Sequence, residues 1–530
     1  MIFAYLNHWQ LFEQDAFWLT RAGEEILQTH KVQTADSWTH TSHGARWENI
    51  QWLTSITFAV VKKIGSDITA LVWLRSVLTF IFFFICGLIV WRAPVTSSVH
   101  WLSRNLSLLL LLPWLYLMNW LRFQMRPDFF GIVFFSGLVY LLTKYPLTKK
   151  LIYWALLLLV IWANFHAGTV VMGIFLLGMA ILLSSTDQFS WRKKCQWMFL
   201  ILLCWFATPQ YFHIIRVFFE TAQVEGNPDL QPFSLKFLTF REGGFTYILF
   251  WVYWFICVGG YVFLNQLRKN FPPLYSQKKF VYSVLVGFTY LFLMRQRTIP
   301  YLTIFLLPIA CTLFTWIANV IFSGSYPVKR RVGAVATFAV ALAVFWGWMI
   351  PTQKQINVPL GRKVSESFMP VKSVEFIDYA RPDGQLYNHF NFGGYVIYML
   401  HDYPVFYDGR ETPFSDLSKE RRVAARNPQS YGYFLRKYNI NTVLETLPQG
   451  DRIKEYSVFY PHEEWARVFS DITSTVYVRR IPDHETIISM YEKTGGSIQD
   501  TSKKPDLTQD QIQKLLREAQ DEIKRRESNK

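Results

Sequence analysis

The sequence predicts a polytopic, all-α membrane domain of about ten spans, followed by a small α/β domain on the outer side of the membrane. Three observations carry this. The chain is 51% hydrophobic and 18% aromatic over 530 residues, yet its mean hydropathy is only +0.15, because a long C-terminal part is plainly polar. Apolar stretches near span length recur as far as residue 350. The loops between them alternate between strongly basic and weakly basic.

Met1 to Gln14 is too short to span and carries Asn7, His8 and Gln10, so no signal peptide is expected there and a first span is expected to be missing or truncated. Residues 15–54 follow as an outward loop. Phe17, Ala22, Ile26 and Leu27 give a short helical pattern. Trp18, Trp38, Trp47 and Trp52 lie along the loop, and tryptophan favours the membrane–water boundary. Asp15, His40, His43 and Arg46 sit among them. The loop is expected to fold down onto the bilayer face and aim Asp15 at a cavity.

The spans are expected near 68–91, 102–121, 129–143, 151–163, 168–185, 195–207, 245–264, 279–294, 299–322 and 332–350. One set of loops holds Arg92 and Arg104, Lys144, Lys149 and Lys150, Arg192 to Lys194, Arg268 and Lys269, and Lys329 to Arg331. The positive-inside rule makes these cytoplasmic. The opposite set then faces outward, together with everything beyond Pro351. Domain boundaries follow: 1–350 in the membrane, 351–481 as the outer α/β domain, 482–530 as a charged tail. In the outer domain, Gln385–Asn388, Tyr395–Tyr398, Pro404–Tyr407, Thr442–Leu444 and Thr475–Val478 are expected as short strands or buried segments. Ser430–Tyr438 is expected to be helical, as is the tail around Ile512 to Ile523.

A net charge of +16 and a pI of about 9.4 would raise nucleic acid as a partner in a soluble protein. Here the excess lies in short loops and sets orientation, so no nucleic-acid partner is expected. Cys86, Cys195, Cys204, Cys257 and Cys311 all lie in or beside apolar spans, which excludes a disulfide framework in the outer domain and a thiolate metal site. P-loop, dinucleotide-binding, zincin and serine-hydrolase motifs are absent.

Chemistry-capable residues gather at the outward span ends, where ionisable groups at membrane depth are costly. Asp15 can act as a general base if it is positioned and partly desolvated, although an Asp opening a helix is also a good N-cap. Arg126, Arg295 and Arg297 can hold a phosphate through forked, charge-assisted hydrogen bonds, and they can equally anchor the protein at lipid head groups. Asn164 and His166 interrupt two spans in Trp162-Ala163-Asn164-Phe165-His166-Ala167-Gly168. Asn388, Asp408 and Arg410 fall on two loops of the outer domain, in Asn388-His389-Phe390-Asn391-Phe392-Gly393-Gly394-Tyr395 and Asp408-Gly409-Arg410.

In order, Asp15, Trp18, Gly23, Gly44, Trp47, Trp52-Leu53, Arg126-Pro127, Trp162-Ala163-Asn164 with His166 and Gly168, Arg295, Arg297 and Pro300, Asn388, Gly393-Gly394-Tyr395 and Asp408-Gly409-Arg410 form a set. The set resembles bacterial polytopic proteins of the GT-C glycosyltransferase superfamily, near the mannosyl- and arabinosyl-transferase-like and RgtA/B/C/D-like groups. It covers residues 15 to 480. Departures are Thr208-Pro209 where the group often has Asn-Pro, and His166-Ala167-Gly168 where it has His-Gly-Gly. The resemblance implies a cytoplasmic-membrane enzyme with an extracytoplasmic C-terminal domain. It would transfer a sugar from a polyprenyl-phosphate donor to a glycan or lipid acceptor. It implies Asp15 as the catalytic carboxylate and Arg126, His166, Arg295 and Arg297 as contacts to the donor phosphate. Trp18, Trp47, Asn164, Asn388, Asp408 and Arg410 are the remaining substrate-binding candidates. Some members of the superfamily use a divalent metal. No ligand spacing here points to one, so no metal ligand and no cofactor is assigned. Two other functions share these features: a transporter of lipid-linked saccharides, which should show charges at mid-helix and repeat symmetry, and an inactive scaffold of the same fold.

Overall fold

A computed structural model describes residues 10–92, 100–119, 122–183, 189–223, 244–267, 271–322, 363–410, 412–447 and 458–492, with a few isolated positions near 330. The first loop opens with helix α1 (Gln14–Thr29), whose inner face carries Phe17, Trp18, Ala22 and Ile26. Helix α2 (Trp52–Gly65) packs along it. The two come close at Gly23, where an added Cβ would lie 1.9 Å from the Ser55 carbonyl oxygen.

Nine further helices continue the chain: α3 (Leu71–Trp91), α4 (His100–Asn119), α5 (Pro127–Lys144), α6 (Lys149–Phe165), α7 (Val170–Leu183), α8 (Trp191–Phe206), α9 (His213–Gln223), α10 (Gly244–Gln266) and α11 (Lys278–Met294). Helix α12 (Ile299–Phe322) completes the set. Each expected span up to residue 322 falls on one of these. Four segments among the described residues are long and apolar enough to cross a membrane: Ile68–Trp91, Pro127–Lys144, Ile248–Gln266 and Ile299–Ile321. The expected span 332–350 and the tail helix at 512–523 lie outside the described residues. Helix α12 is the axis of the bundle, buried along most of its length against α4, α5 and α10. Helix α3 shows the other side of a membrane helix. Trp73, Val77, Phe80 and Phe84 form an exposed stripe at helical spacing, with Phe80 70% exposed.

The C-terminal domain is built on a four-stranded sheet. Its strands are β1 (Gln385–Asn388), β2 (Ile440–Thr446), β3 (Trp465–Ser470) and β4 (Ser474–Arg479), in the order β1-β2-β4-β3. β1 runs parallel to β2; the other pairs are antiparallel. Helices α13 (Val371–Ala380), α14 (Gly393–Met399), α15 (Ser415–Ala424), α16 (Pro428–Lys437) and α17 (Glu485–Tyr491) complete it.

Two of the segments expected as short strands or buried segments are buried but are not strands of the sheet. Tyr395–Tyr398 is not a strand but the body of α14. Tyr395 and Tyr398, three residues apart, share a helical face, and both rings meet Phe17 of α1, at 4.9 and 5.9 Å. Pro404–Tyr407 contributes one bridge, Val405 to Thr39, rather than a strand of the sheet. The segment is used to tie the C-terminal domain to the first loop: Val405 N–H donates to the Trp38 carbonyl at 3.0 Å, and His40 N–H to the Val405 carbonyl at 3.1 Å.

Candidate active site

The first loop and the C-terminal domain close on each other around Arg410. Its guanidinium is buried, donating from Nη2 to Asp36 Oδ1 at 2.5 Å and from Nη2 and Nε to Asp408 at 2.6 and 2.8 Å. It lies between the rings of Trp38 and Trp47, each 4.6 Å from it. Trp47 in turn meets Trp18 edge-on at 5.9 Å. Asn388, fully buried, donates from Nδ2 to the Tyr407 and His389 carbonyls and accepts the Phe406 N–H at 2.9 Å. Trp47, Asn388, Asp408 and Arg410 thus make protein contacts inside a buried seam. Their connection to Asp15 is through α1: a Cβ at Gly394 would sit 2.5 Å from the Gln14 carbonyl oxygen, and one at Gly409 would sit 2.8 Å from the Gln14 side chain.

Asp15 lies in the first turn of α1, where the helix dipole favours a carboxylate. Oδ1 accepts the Trp18 indole N–H at 3.1 Å. Oδ2 is 3.9 Å from Arg126 Nε. Arg126 gives its direct bond to Glu13 instead, at 2.7 Å. Two carboxyls therefore compete for one guanidinium, and Asp15 is the less tightly held. Burial raises the Asp15 carboxyl above its ordinary range; Arg126 and the Trp18 N–H pull it down, Asp128 pushes it further up and Arg297 again pulls it down. Glu13 is raised by burial as well, against the pull of Arg126 and with the push of Asp15.

His166 sits at the C-terminal end of α6, fixed there by its neighbours. Asn164 accepts the Trp52 indole N–H at 3.0 Å and donates to the Val160 and Ala207 carbonyls, each at 2.8 Å. This fully used amide holds the bend between α6 and α7. Burial lowers the His166 imidazole to about 4, with Asp128 opposing and Arg297 assisting. Its Nδ1 accepts the Thr169 N–H at 3.2 Å, so the neutral ring carries its proton on Nε2. His166 can therefore offer a hydrogen bond at neutral pH but not a positive charge. Arg297 stands at the start of α12, in the turn where the Arg295 carbonyl accepts the Thr298 N–H at 3.1 Å.

The structure thus brings Asp15, Trp18, Arg126, His166 and Arg297 into one electrostatic neighbourhood. It places Asn164 beside that group as a brace and Arg295 in the turn that carries Arg297. Glu13 and Asp128 belong to the same neighbourhood and were not among the candidates. Their signals were present in sequence: Glu13 is two residues from Asp15, and Asp128 completes Arg126-Pro127-Asp128. Among the described residues, no group of three or more His, Cys, Asp or Glu side chains is arranged to hold a metal ion.

Neither a family model nor a curated protein matches this sequence. Solved structures do. The archaeal oligosaccharyltransferase AglB from Archaeoglobus fulgidus, in complex with an inhibitory peptide and a dolichol-phosphate, matches with a TM-score of 0.56 at 9% identity, over 89% of this chain and 71% of that one. Arabinofuranosyltransferase AftD from Mycobacteria matches with a TM-score of 0.54 at 12% identity, over 91% of this chain and 40% of that one. The fold is GT-C-like. Within the GT-C-like fold described here, the carboxylates of α1 and the α5 N-terminus, the imidazole of the α6–α7 bend and the guanidinium at the start of α12 converge from four separate segments of the chain.

Proposed function

We propose that this protein is an integral-membrane glycosyltransferase that moves a sugar from a polyprenyl-phosphate donor to an acceptor hydroxyl at the extracytoplasmic face. The observation that carries the reading is the half-buried Asp15 carboxyl, raised by desolvation, 3.9 Å from Arg126 and in the field of Arg297, which also acts on the neutral His166. Asp15 accepts the acceptor's proton, the freed oxygen attacks the anomeric carbon, and the bond from that carbon to the phosphate oxygen breaks with its electron pair on the phosphate. Arg126 and Arg297 offset the charge that develops there, and His166 Nε2–H donates a hydrogen bond to it. Arg295 is a further contact for the donor phosphate.

Support comes from the GT-C-like fold and from the dolichol-phosphate in the AglB complex. The basic loops at the other span ends support an outward-facing site by the positive-inside rule. Trp18, Trp47, Asn164, Asn388, Asp408 and Arg410 take part by holding α1 and the α6–α7 bend in place.

The test is a transfer assay on the full chain in lipid, with a panel of radiolabelled polyprenyl-phosphate sugars and a membrane extract as acceptor source. Label should move to a new product with wild type and fall at least about 100-fold with Asp15→Asn. Full transfer by a folded Asp15→Asn protein overturns the assignment of Asp15; no transfer from any donor overturns the enzyme.

A further inference from the structure

We propose that the turn Phe123–Asp128 is a saccharide-reading subsite, in which Gln124 and Asp128 take hydroxyl groups of the sugar on the donor lipid. This rests on the glycosyltransferase reading and deepens it. Gln124 is 2% exposed, and neither its amide oxygen nor its amide nitrogen has a hydrogen-bond partner among the described residues. Asp128 Oδ1 is likewise buried without one. Buried polar groups are nearly always satisfied, so three such atoms within five residues call for an occupant.

The turn is rigid enough to recognise one. Arg126 N–H donates to the Gln124 carbonyl at 2.8 Å and Phe129 N–H to the Arg126 carbonyl at 3.2 Å. The Phe123 ring is wedged among Phe82, Phe83, Tyr116 and Phe129 at 5.3 to 5.8 Å. The same five residues carry Arg126 to Glu13 and Asp15, so the turn joins the subsite to the reacting centre.

The chemistry of the two side chains selects the ligand. An ionised carboxylate oxygen only accepts, so Asp128 needs a donor. A phosphate oxygen would meet it as a like charge, and a lipid tail offers nothing. The Gln124 amide both donates and accepts. A hydroxyl group does both, and a sugar ring presents several on one rigid frame. The phosphate falls to the arginines, the sugar to this turn.

The experiment compares wild type, Gln124→Leu and Asp128→Asn, each as the full chain in lipid nanodiscs. Binding is measured for two probes, polyprenyl phosphate and the same lipid bearing a sugar. Wild type should bind the sugar-bearing probe at least 10-fold more tightly than the bare one for a member of the sugar panel. Gln124→Leu should erase that preference and leave affinity for the bare lipid unchanged. Its melting temperature should hold or rise, because an unsatisfied polar group has been replaced by an apolar one of similar size. Asp128→Asn should narrow the preference too. Equal binding of bare and sugar-bearing lipid by wild type across the panel overturns the subsite, as does a preference that survives Gln124→Leu. Because this readout needs no turnover, a protein that binds sugar-lipid selectively but transfers nothing would sink the enzymatic reading and leave the subsite standing.

Discussion

At the scale of single residues, the pH behaviour of Asp15 is the sharpest consequence. Its carboxyl is raised, so the folded state holds its proton to higher pH than the unfolded chain does. Over that window the folded state binds more protons, and this residue's contribution to stability falls as pH rises. A general base must be ionised, so transfer should climb with pH through the raised value and then level off. Arg126 is the largest charge opposing the rise. Arg126→Gln should therefore move the climbing limb of kcat/KM to higher pH, as well as lowering the plateau. A pH–rate profile with an unchanged midpoint would mean that Asp15 is not the titrating base. His166 behaves in the opposite sense. Its imidazole is lowered from 6.5 to about 4 by burial, so the unfolded chain binds more protons between those values. Stability should fall as pH drops from 6.5 toward 4, and His166→Gln should flatten that loss in a melting-temperature series.

At the scale of elements, the question is what holds α1 in place. One answer is the Arg410 clamp, with Asp36 and Asp408 buried around it. Arg410→Met keeps the stacking volume between Trp38 and Trp47 but leaves two carboxylates buried with their cation removed. It should cost about 3–5 kcal/mol in chemical denaturation, and a loss below about 1 kcal/mol would mean that the seam is held by its tryptophans alone. Gly394→Ala tests the other support, since its Cβ would press on the Gln14 carbonyl one residue from Asp15. Transfer should fall at least about 10-fold while donor binding persists. Some of this was legible beforehand. Hydropathy located the helices up to residue 322, four of which are long and apolar enough to cross a membrane. β2 and β4 followed from β-branched runs and α16 from helical spacing, while β1, with no β-branched residue, was expected only as a short strand or buried segment. Helix α14 did not, because Tyr-Val-Ile-Tyr favours a strand locally and becomes helical only by packing two tyrosines on Phe17. The parts played by Asn388, Asp408 and Arg410 were hidden for the same reason. Arg410's partners Asp36, Trp38 and Trp47 lie hundreds of residues away in sequence, Asn388 binds backbone of the neighbouring Phe406 and Tyr407, and loop position alone favours binding over bracing.

At the scale of the whole molecule, the C-terminal domain and the first loop must share one side of the membrane. The bridges Leu11–Val364 and Thr39–Val405 and the buried Arg410–Asp36 pair all cross between them. By the positive-inside rule the basic loops are expected on the opposite side: Lys149 and Lys150 open α6, and Arg192 to Lys194 open α8. The chain carries its own reporter for that side. Of its five cysteines only Cys195 is exposed, and it sits among those basic residues at the start of α8. Ser430, exposed at the start of α16, reports the other side once changed to cysteine. In sealed cells, a membrane-impermeant maleimide should label Ser430→Cys and spare Cys195; opening the membrane should add Cys195. Cys195 reacting first would place the cluster around Asp15 on the cytoplasmic side, facing nucleotide sugars rather than lipid-linked ones. Because the buried seam makes the first loop and the C-terminal domain one unit, Asp15 lies on whichever side Ser430→Cys reports. The topology measurement is therefore also a test of where the reaction occurs.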